Sequence, residues 1–306
     1  INSLIDLLDC LQSEEDCREF LEAIRWNGGS TPICPHCGSQ SKEHYKLTNG
    51  GQYRGLHKCK DCNKRFTVTV GTMFEGSHIP LRKWFVAIYM FLAHKKGISS
   101  MQLHKDIAVT QKLLVYVELN RYNLRNIKYI IYGDVTQVDE TYIGGKNKNR
   151  NAGKRLKNTR GRSLKLKTPV MGMLSNGRVY TEVIPKASKW ILQRAINTFV
   201  PKGSTVVTDG WYGYKGLHEN YEHKVVDHHR GEYVKGGYHT NSIEGFWSQL
   251  KRGIVGVYHL VSKKHLELYC DEFACRYNTR DIEDGQRFGV FLTIANDRLR
   301  YCDLTL

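Results

Sequence analysis

The chain has 306 residues, with 46 Lys and Arg against 30 Asp and Glu, a net charge of +16 and a pI near 9.4. A balance so basic attracts polyanions, and 41% hydrophobic with 11% aromatic residues excludes wholesale disorder and allows two or more domains. No run of about 18 apolar residues and no signal-type start occurs, so a soluble, intracellular protein without a membrane partner is expected; because it opens at Ile1 rather than Met, a few native residues are expected ahead of it.

From the N-terminus, a helix is predicted over Ser13 to Arg25, with Ser13 as its cap and Glu14, Glu15 and Asp16 at its positive end. Trp26-Asn-Gly-Gly stops it. Cys34-Pro-His-Cys37 and Cys59-Lys-Asp-Cys62 then form two CxxC knuckles separated by 21 residues, slightly wider than the usual zinc spacing. Each knuckle brings two thiolates to one tetrahedral Zn²⁺, with Gly38 easing the first turn. Four thiolates close the coordination sphere, so this zinc is expected to fold a ribbon rather than to catalyse. Cys10, Cys17, Cys270, Cys275 and Cys302 lack ligand spacing and read as ordinary thiols.

Arg65 to Val70 reads as a strand and Leu81 to Ala93 as an apolar helix too short to span a membrane. A helix from Ser100 to Ala108, a joint at Val109-Thr110 and a second helix through Arg125 suggest a helix-turn-helix with Thr110 to Tyr116 as its reading positions; a packing module without groove contact fits the same pattern.

After Asp134 the rhythm changes. Val135 to Ile143 is strand-like, and Pro169 to Leu174 pairs with Arg178 to Ile184 across Ser175-Asn-Gly, a strong hairpin signal. A helix over Ser188 to Phe199, with Trp190, Ile191, Arg194-Ala195 and Thr198 spaced for one face, is followed by strands at Ser204 to Asp209 and His223 to Asp227. A helix carrying Glu244 and another from Ser262 to Tyr277 complete the series. Three strands, helix, strand, short helix, strand, helix is the order of a ribonuclease H-like α/β fold with a mixed sheet. The expected division is an N-terminal helix (1–30), zinc ribbon (31–76), helical region (77–130), catalytic domain (131–281) and a tail (282–306) with no legible pattern.

Asp139 and Asp209 end β-branched runs, and Glu244 lies on a helix. Carboxylates brought together by such a fold repel unless a divalent cation lies between them, and a pair of Mg²⁺ or Mn²⁺ ions so held can cut and join phosphodiesters. Glu140 is expected on the opposite sheet face from Asp139. Asn241, three residues before Glu244, shares its face; the pair can equally be read as a capping box with Asn241 as N-cap. Lys251, seven residues on, returns to that face and could hold a phosphate, or could serve solubility alone. Gly144 to Lys167 carries ten basic residues (Lys146, Lys148, Arg150, Lys154, Arg155, Lys157, Arg160, Arg162, Lys165, Lys167) and no acid, a DNA-contacting loop expected beside Asp139 and disordered when free. Trp247 and Phe246 are read as packing the helix on the sheet. A tyrosine recombinase would need an Arg/His constellation that the chain does not display.

The set VDETYIGGK, TDGWYGY and HTNSIEGFWSQLKRGIVGVYHLVSKKHLELYCDEFACRYN, preceded by CPHCGS, resembles the transposases of ISXO-type insertion sequences, relatives of the Merlin elements within the DDE class. The likeness runs from about Ser13 to Asp281. It implies metal-dependent cleavage at element ends and attack of the freed 3′-OH on target DNA. Asp139 and Asp209 match the family's first two acids; the third is Glu or Asn in this group, and both Glu244 and Asn241 are present. A basic residue at the offset of Lys251 is also similar. The implied partners are the element's terminal repeats, target DNA and further copies of the chain in a synaptic complex, in the cytoplasm and on the nucleoid. A zinc-ribbon DNA binder and a structure-selective nuclease are the rival readings.

Overall fold

The computed structural model describes residues 1–26, 28, 31–49, 52–109, 133–145, 147–159, 161–227 and 231–295. The chain divides into two compact units, Ile1–Asn126 with Asp281–Leu306, and Ile127–Arg280.

In the first unit, α1 (Leu4–Cys10) and α2 (Glu14–Arg25) each start with a capping box. Ser13 Oγ accepts the Asp16 amide at 3.1 Å, and the Asp16 carboxylate accepts the Ser13 amide at 2.8 Å, so two orphan donors are satisfied reciprocally. The ribbon sheet pairs β1 (Tyr45–Asn49), β2 (Gln52–Lys58) and β3 (Arg65–Phe66) antiparallel in that order. The strand expected through Val70 thus stops at Phe66. Its next residues turn, because Val70 and Thr72 donate to Thr67 and Thr69 while the Arg25 guanidinium takes the Val68 and Val70 carbonyls that a ladder would have used.

α3 (Leu81–Ala93) is buried on most sides, including Trp84, Phe85, Ile88 and Phe91. A helix apolar all round needs cover on every side, and part of it comes from the far end of the chain. The tail that carried no legible pattern contains α8 (Asp284–Ile294), whose Phe288 stacks on Phe20 at 6.2 Å and meets Phe85 edge-on at 5.6 Å, while Arg287 donates to the Leu92 carbonyl at 3.2 Å. α4 (Ser100–Ile107) is capped by Ser99 and ends at Ala108 with φ +49°. The second helix of the expected helix-turn-helix, with Thr110 to Tyr116, lies outside the described residues, as does Cys302.

The second unit is built on a five-stranded mixed sheet in the order β6-β5-β4-β7-β8. β4 (Val135–Gly144), β5 (Lys167–Ser175) and β6 (Arg178–Val183) run antiparallel, and β7 (Thr205–Asp209) and β8 (Glu222–Val226) continue parallel to β4. Asn176 and Gly177 both have positive φ, +48° and +70°, the two-residue hairpin geometry that Asn-Gly favours. α5 (Lys189–Phe199) covers one face. α6 (Asn241–Gly253) and α7 (Leu266–Asn278) cover the other. This strand order with helices on both faces is the ribonuclease H-like arrangement.

Eight consecutive residues of β5 are buried, as expected of a strand covered on both sides. Met171 and Met173 meet Leu192 and Ile196 of α5, while Val170 and Leu174 meet Ile243, Phe246 and Leu250 of α6. The expected inner face of α5 is off by a step. Leu192, Ala195 and Ile196 are buried, whereas Trp190 is 69% exposed and carries the Arg194 guanidinium over its ring. The i, i+3, i+4 stripe that meets the sheet begins at Leu192, and the large aromatic at 190 falls off its edge. Among the described residues no helix is long and apolar enough to cross a membrane.

One glycine governs how closely α6 approaches. A Cβ on Gly172 would lie 2.5 Å from Trp247 Cζ2 and 3.1 Å from Ile243 Cδ1, whereas one on Gly245, on the outer side of α6, would meet nothing within 4 Å. Gly172→Ala should therefore cost about 2 kcal/mol through overpacking. Gly245→Ala should stabilise by up to about 1 kcal/mol; chemical denaturation of both variants checks the contrast.

Candidate active site and metal centres

β4 and β7 pair in parallel with Val135 opposite Thr205 and Gln137 opposite Val207. The ladder ends there, two residues short of Asp139 and Asp209, which lie on these neighbouring strands; the charge of Asp209 acts on the Asp139 carboxyl. β7 ends at Asp209, so the second carboxylate stands where the sheet opens. Both side chains share the face covered by α6, by strict alternation from Val138 and Val206, which belong to the core under α5.

Asp139 is held by a bond that sequence pattern did not reveal. Trp247 Nε1–H donates to its Oδ2 at 3.0 Å, and the indole fits there because the residue opposite Asp139 on β5 is Gly172. Burial, then the charges of Asp209 and Glu244, push the Asp139 carboxyl up to about 6, against the lowering effect of the Glu140 amide and the Trp247 indole. Asp209 accepts the Trp211 amide at 3.1 Å through Oδ1.

Glu244 lies in the first turn of α6, exposed, with its Oε1 accepting the Thr240 hydroxyl at 2.9 Å. Thr240, not Asn241, is the N-cap residue, and Asn241 is the first residue of the helix. The capping-box alternative is therefore not formed, and Thr240 makes no side-chain cap because the Ile243 amide that it would accept is bonded elsewhere. The helix start is instead tied to β4 by Gln137, whose Oε1 accepts the Ile243 amide at 3.2 Å and whose Nε2 lies 3.4 Å from His239 Nδ1. Lys251, one face-repeat further along α6, has its ammonium drawn below the usual lysine range by desolvation, with Asp139 as the opposing charge and Lys167 as a like one.

The three acids meet electrostatically but not as a closed cage. Among the described residues, the only group of three or more His, Cys, Asp or Glu ligand atoms gathered within 4.8 Å is the cysteine set. The Thr240 hydroxyl is bonded to Glu244. The donor set is nonetheless all oxygen and anionic, the kind that Mg²⁺ or Mn²⁺ takes.

On the other sheet face Glu140 is buried, receiving the Tyr214 hydroxyl at 2.6 Å. Burial pushes its carboxyl up to about 7. Arg162 of the basic loop reaches it at 3.2 Å, comes within 3.9 Å of Asp209 and lies over the Trp211 ring at 4.5 Å. Asn147–Asn149 and Ala152–Lys154 form short 3₁₀ turns, and Arg155, Lys165 and Lys167 donate to the carbonyls of Arg150, Lys157 and Gly161. Those carbonyls give the cations local acceptors. Lys148, Arg150, Lys154 and Lys157 are exposed, while Lys146 and Arg160 lie outside the described residues.

In the first unit, Cys34 and Cys62 Sγ are 3.7 Å apart, as are Cys37 and Cys59 Sγ, and all four lie within 4.8 Å of one another. A tetrahedron with Zn–S near 2.3 Å has S···S edges of about 3.8 Å, so the thiols fit a structural zinc. Each knuckle closes alike: Gly38 and Asn63, at φ +73° and +58°, donate back to the Cys34 and Cys59 carbonyls.

The Trp247 bond has a measurable signature. A ¹³C carboxyl titration of the protein free of divalent cation should place Asp139 near pH 6. In Trp247→Phe the midpoint should move upward, because the lost donor favoured the carboxylate; an unchanged midpoint would mean that the indole only fills space.

Residues 131–278 match the model of the ISXO2-like transposase domain, and residues 12–65 that of the transposase zinc-ribbon domain. The chain is 33% identical over 279 residues to the uncharacterized protein in transposable element ISH50 of Halobacterium salinarum, over 86% of this chain and 90% of that protein. It is 29% identical over 107 residues to an uncharacterized transposase-like protein of Haemophilus influenzae, 35% of this chain and 85% of that one. Among solved structures, the Mos1 transposase paired-end complex with left transposon end is similar at 12% identity over 71% of this chain and 80% of that one; its TM-score of 0.28 is too low for the fold to be argued from it. The fold stands on its own strand order, and by full-length kinship and both domain matches the chain belongs to the ISXO2-like transposases of insertion sequences.

Proposed function

We propose that this transposase cuts and joins DNA at Asp139, Asp209 and Glu244 with two divalent cations, Mg²⁺ or Mn²⁺. What supports the reading is that β4 and β7 pair in parallel as far as Gln137 and Val207, two residues before Asp139 and Asp209, and that the charges of Asp209 and Glu244 both act on the Asp139 carboxyl. When bound, such a pair of ions activates an attacking oxygen and stabilises the leaving one at a phosphodiester.

The chain's own residues prepare that site. Trp247 fixes the Asp139 carboxylate, and Gln137 fixes the start of α6 and hence Glu244. Glu244 turns from the Thr240 hydroxyl toward its partners, and Asn241, in the same first turn, is the accessory or substitute ligand. Lys251, facing Asp139 in charge, holds a non-bridging phosphate oxygen. Arg162 and the other basic-loop residues neutralise phosphates without reading sequence. The zinc held by Cys34, Cys37, Cys59 and Cys62 folds the ribbon that takes part in end recognition. Two element ends must be handled together, so copies of the chain assemble on them.

Incubation with labelled end DNA, target plasmid and Mg²⁺ or Mn²⁺ tests the reading. Joined products support transposition, hydrolysis alone would make the protein a structure-selective nuclease, and retardation alone a binder. Asp139→Ala or Asp209→Ala should lower cleavage by at least about 100-fold while DNA retention stays within about twofold, since the phosphate-contacting cations are untouched. Cys34→Ser should lose its zinc and unfold the ribbon, because site formation and folding are one event; metal analysis with circular dichroism reports both, and retained zinc would remove Cys34 from the ligand set.

A further inference from the structure

The second unit contains a groove of about 650 Å³ that the carboxylate site does not use. One wall comes from the end of β4 and the approach to β5, with Leu164, Lys165 and Lys167; the other comes from the segment after α6, with Val255, Leu260 and Lys263. That second wall has an unusual origin. α6 runs on as a π-helical turn over Ile254–Tyr258, and His259, also in the lining, follows at φ +61°, ψ −50°. A non-glycine residue there is strained, and π turns and such outliers concentrate where they serve binding.

The effect is to turn aliphatic side chains outward. Ile254 is 7% exposed, but Val255 is 65% and Leu260 72% exposed, with Leu164 opposite at 49%. Around them the lining is cationic, and no carboxylate is among the described lining residues. The occupant must therefore be anionic and also present apolar surface. Duplex DNA offers its phosphates but keeps its base faces stacked inside. An unpaired strand offers both at once. Lys167 on its wall begins strand β5, which pairs with β4 from Gly144 opposite Lys167 back to Asp139 opposite Gly172.

We propose that this groove binds an unpaired stretch of DNA, its bases against Leu164, Val255 and Leu260 and its phosphates on Lys165, Lys167 and Lys263. The proposal rests on the reading of DNA as the substrate and adds the strand form that the catalytic unit takes. It implies that DNA is held with a few nucleotides melted or overhanging beside the site of cleavage.

Fluorescence anisotropy of the full zinc-loaded chain, without Mg²⁺ or Mn²⁺, tests it on a blunt duplex, the same duplex with an overhang of about five thymidines, and one with an abasic overhang of equal length. The thymidine overhang should bind about tenfold tighter than the blunt end, and the abasic overhang should recover only part of that gain. Leu260→Asp and Lys263→Ala, both on the exposed rim, should each cut the gain at least threefold while blunt-duplex affinity stays within about twofold. Equal binding of blunt and thymidine-tailed duplexes, or a gain that survives in both variants, would overturn the groove assignment. Failure of the wild-type chain to retain any of the three DNAs would instead overturn DNA as its substrate.

Discussion

The catalytic unit depends on one pairing: β7 docks parallel to β4, bringing the strand that ends at Asp209 alongside the one that carries Asp139. Neighbouring carboxylates in a partly desolvated position are unfavourable, and burial together with the charge of Asp209 raises the Asp139 carboxyl. Nothing in strand pairing itself rewards the arrangement. The surrounding groups offset it from three directions, through the Trp247 indole on Asp139, the Arg162 guanidinium near Asp209 and the Lys251 ammonium in the field of Asp139.

The third acid is positioned by packing rather than by pairing. α6 comes close enough to the sheet only because Gly172 leaves room for Trp247, and its first turn is pinned when Gln137 accepts the Ile243 amide. Strand β4 therefore supplies the first acid and also the anchor for the helix bearing the third. Glu140, one residue from Asp139, works on the opposite face, where Tyr214 and Arg162 bind it. The same strand thus ties the basic loop to the edge of the carboxylate site.

Features set by local chemistry were legible in the sequence. The two knuckles, the Asn-Gly turn, the Ser13 cap and the strand ending at Asp209 each follow from a few adjacent residues, whereas the strand of Asp139 runs five residues past it to Gly144. Features set by distant partners were not. Arg65 to Val70 has the composition of a strand but loses its ladder carbonyls to Arg25, some 40 residues earlier. Trp247 reads as packing, and only the glycine 75 residues upstream reveals that its nitrogen can reach Asp139. The inner face of α5 was misplaced because Trp190 outweighs its neighbours in any hydrophobicity count while lying off the covered stripe. α8 escaped notice because the rings it packs against, Phe20 and Phe85, come from the opposite end of the chain.

That last arrangement bears on how the protein is made. Residues up to Asn126 and residues from Asp281 belong to one unit, so a ribosome must finish the whole intervening catalytic unit before the N-terminal unit can receive Phe288 and bury Phe20 and Phe85. The zinc ribbon can close around its metal early in synthesis, while the helical part beside it waits with an aromatic face uncovered. A chain cut short before Phe288 would thus injure a part of the protein translated long before the cut.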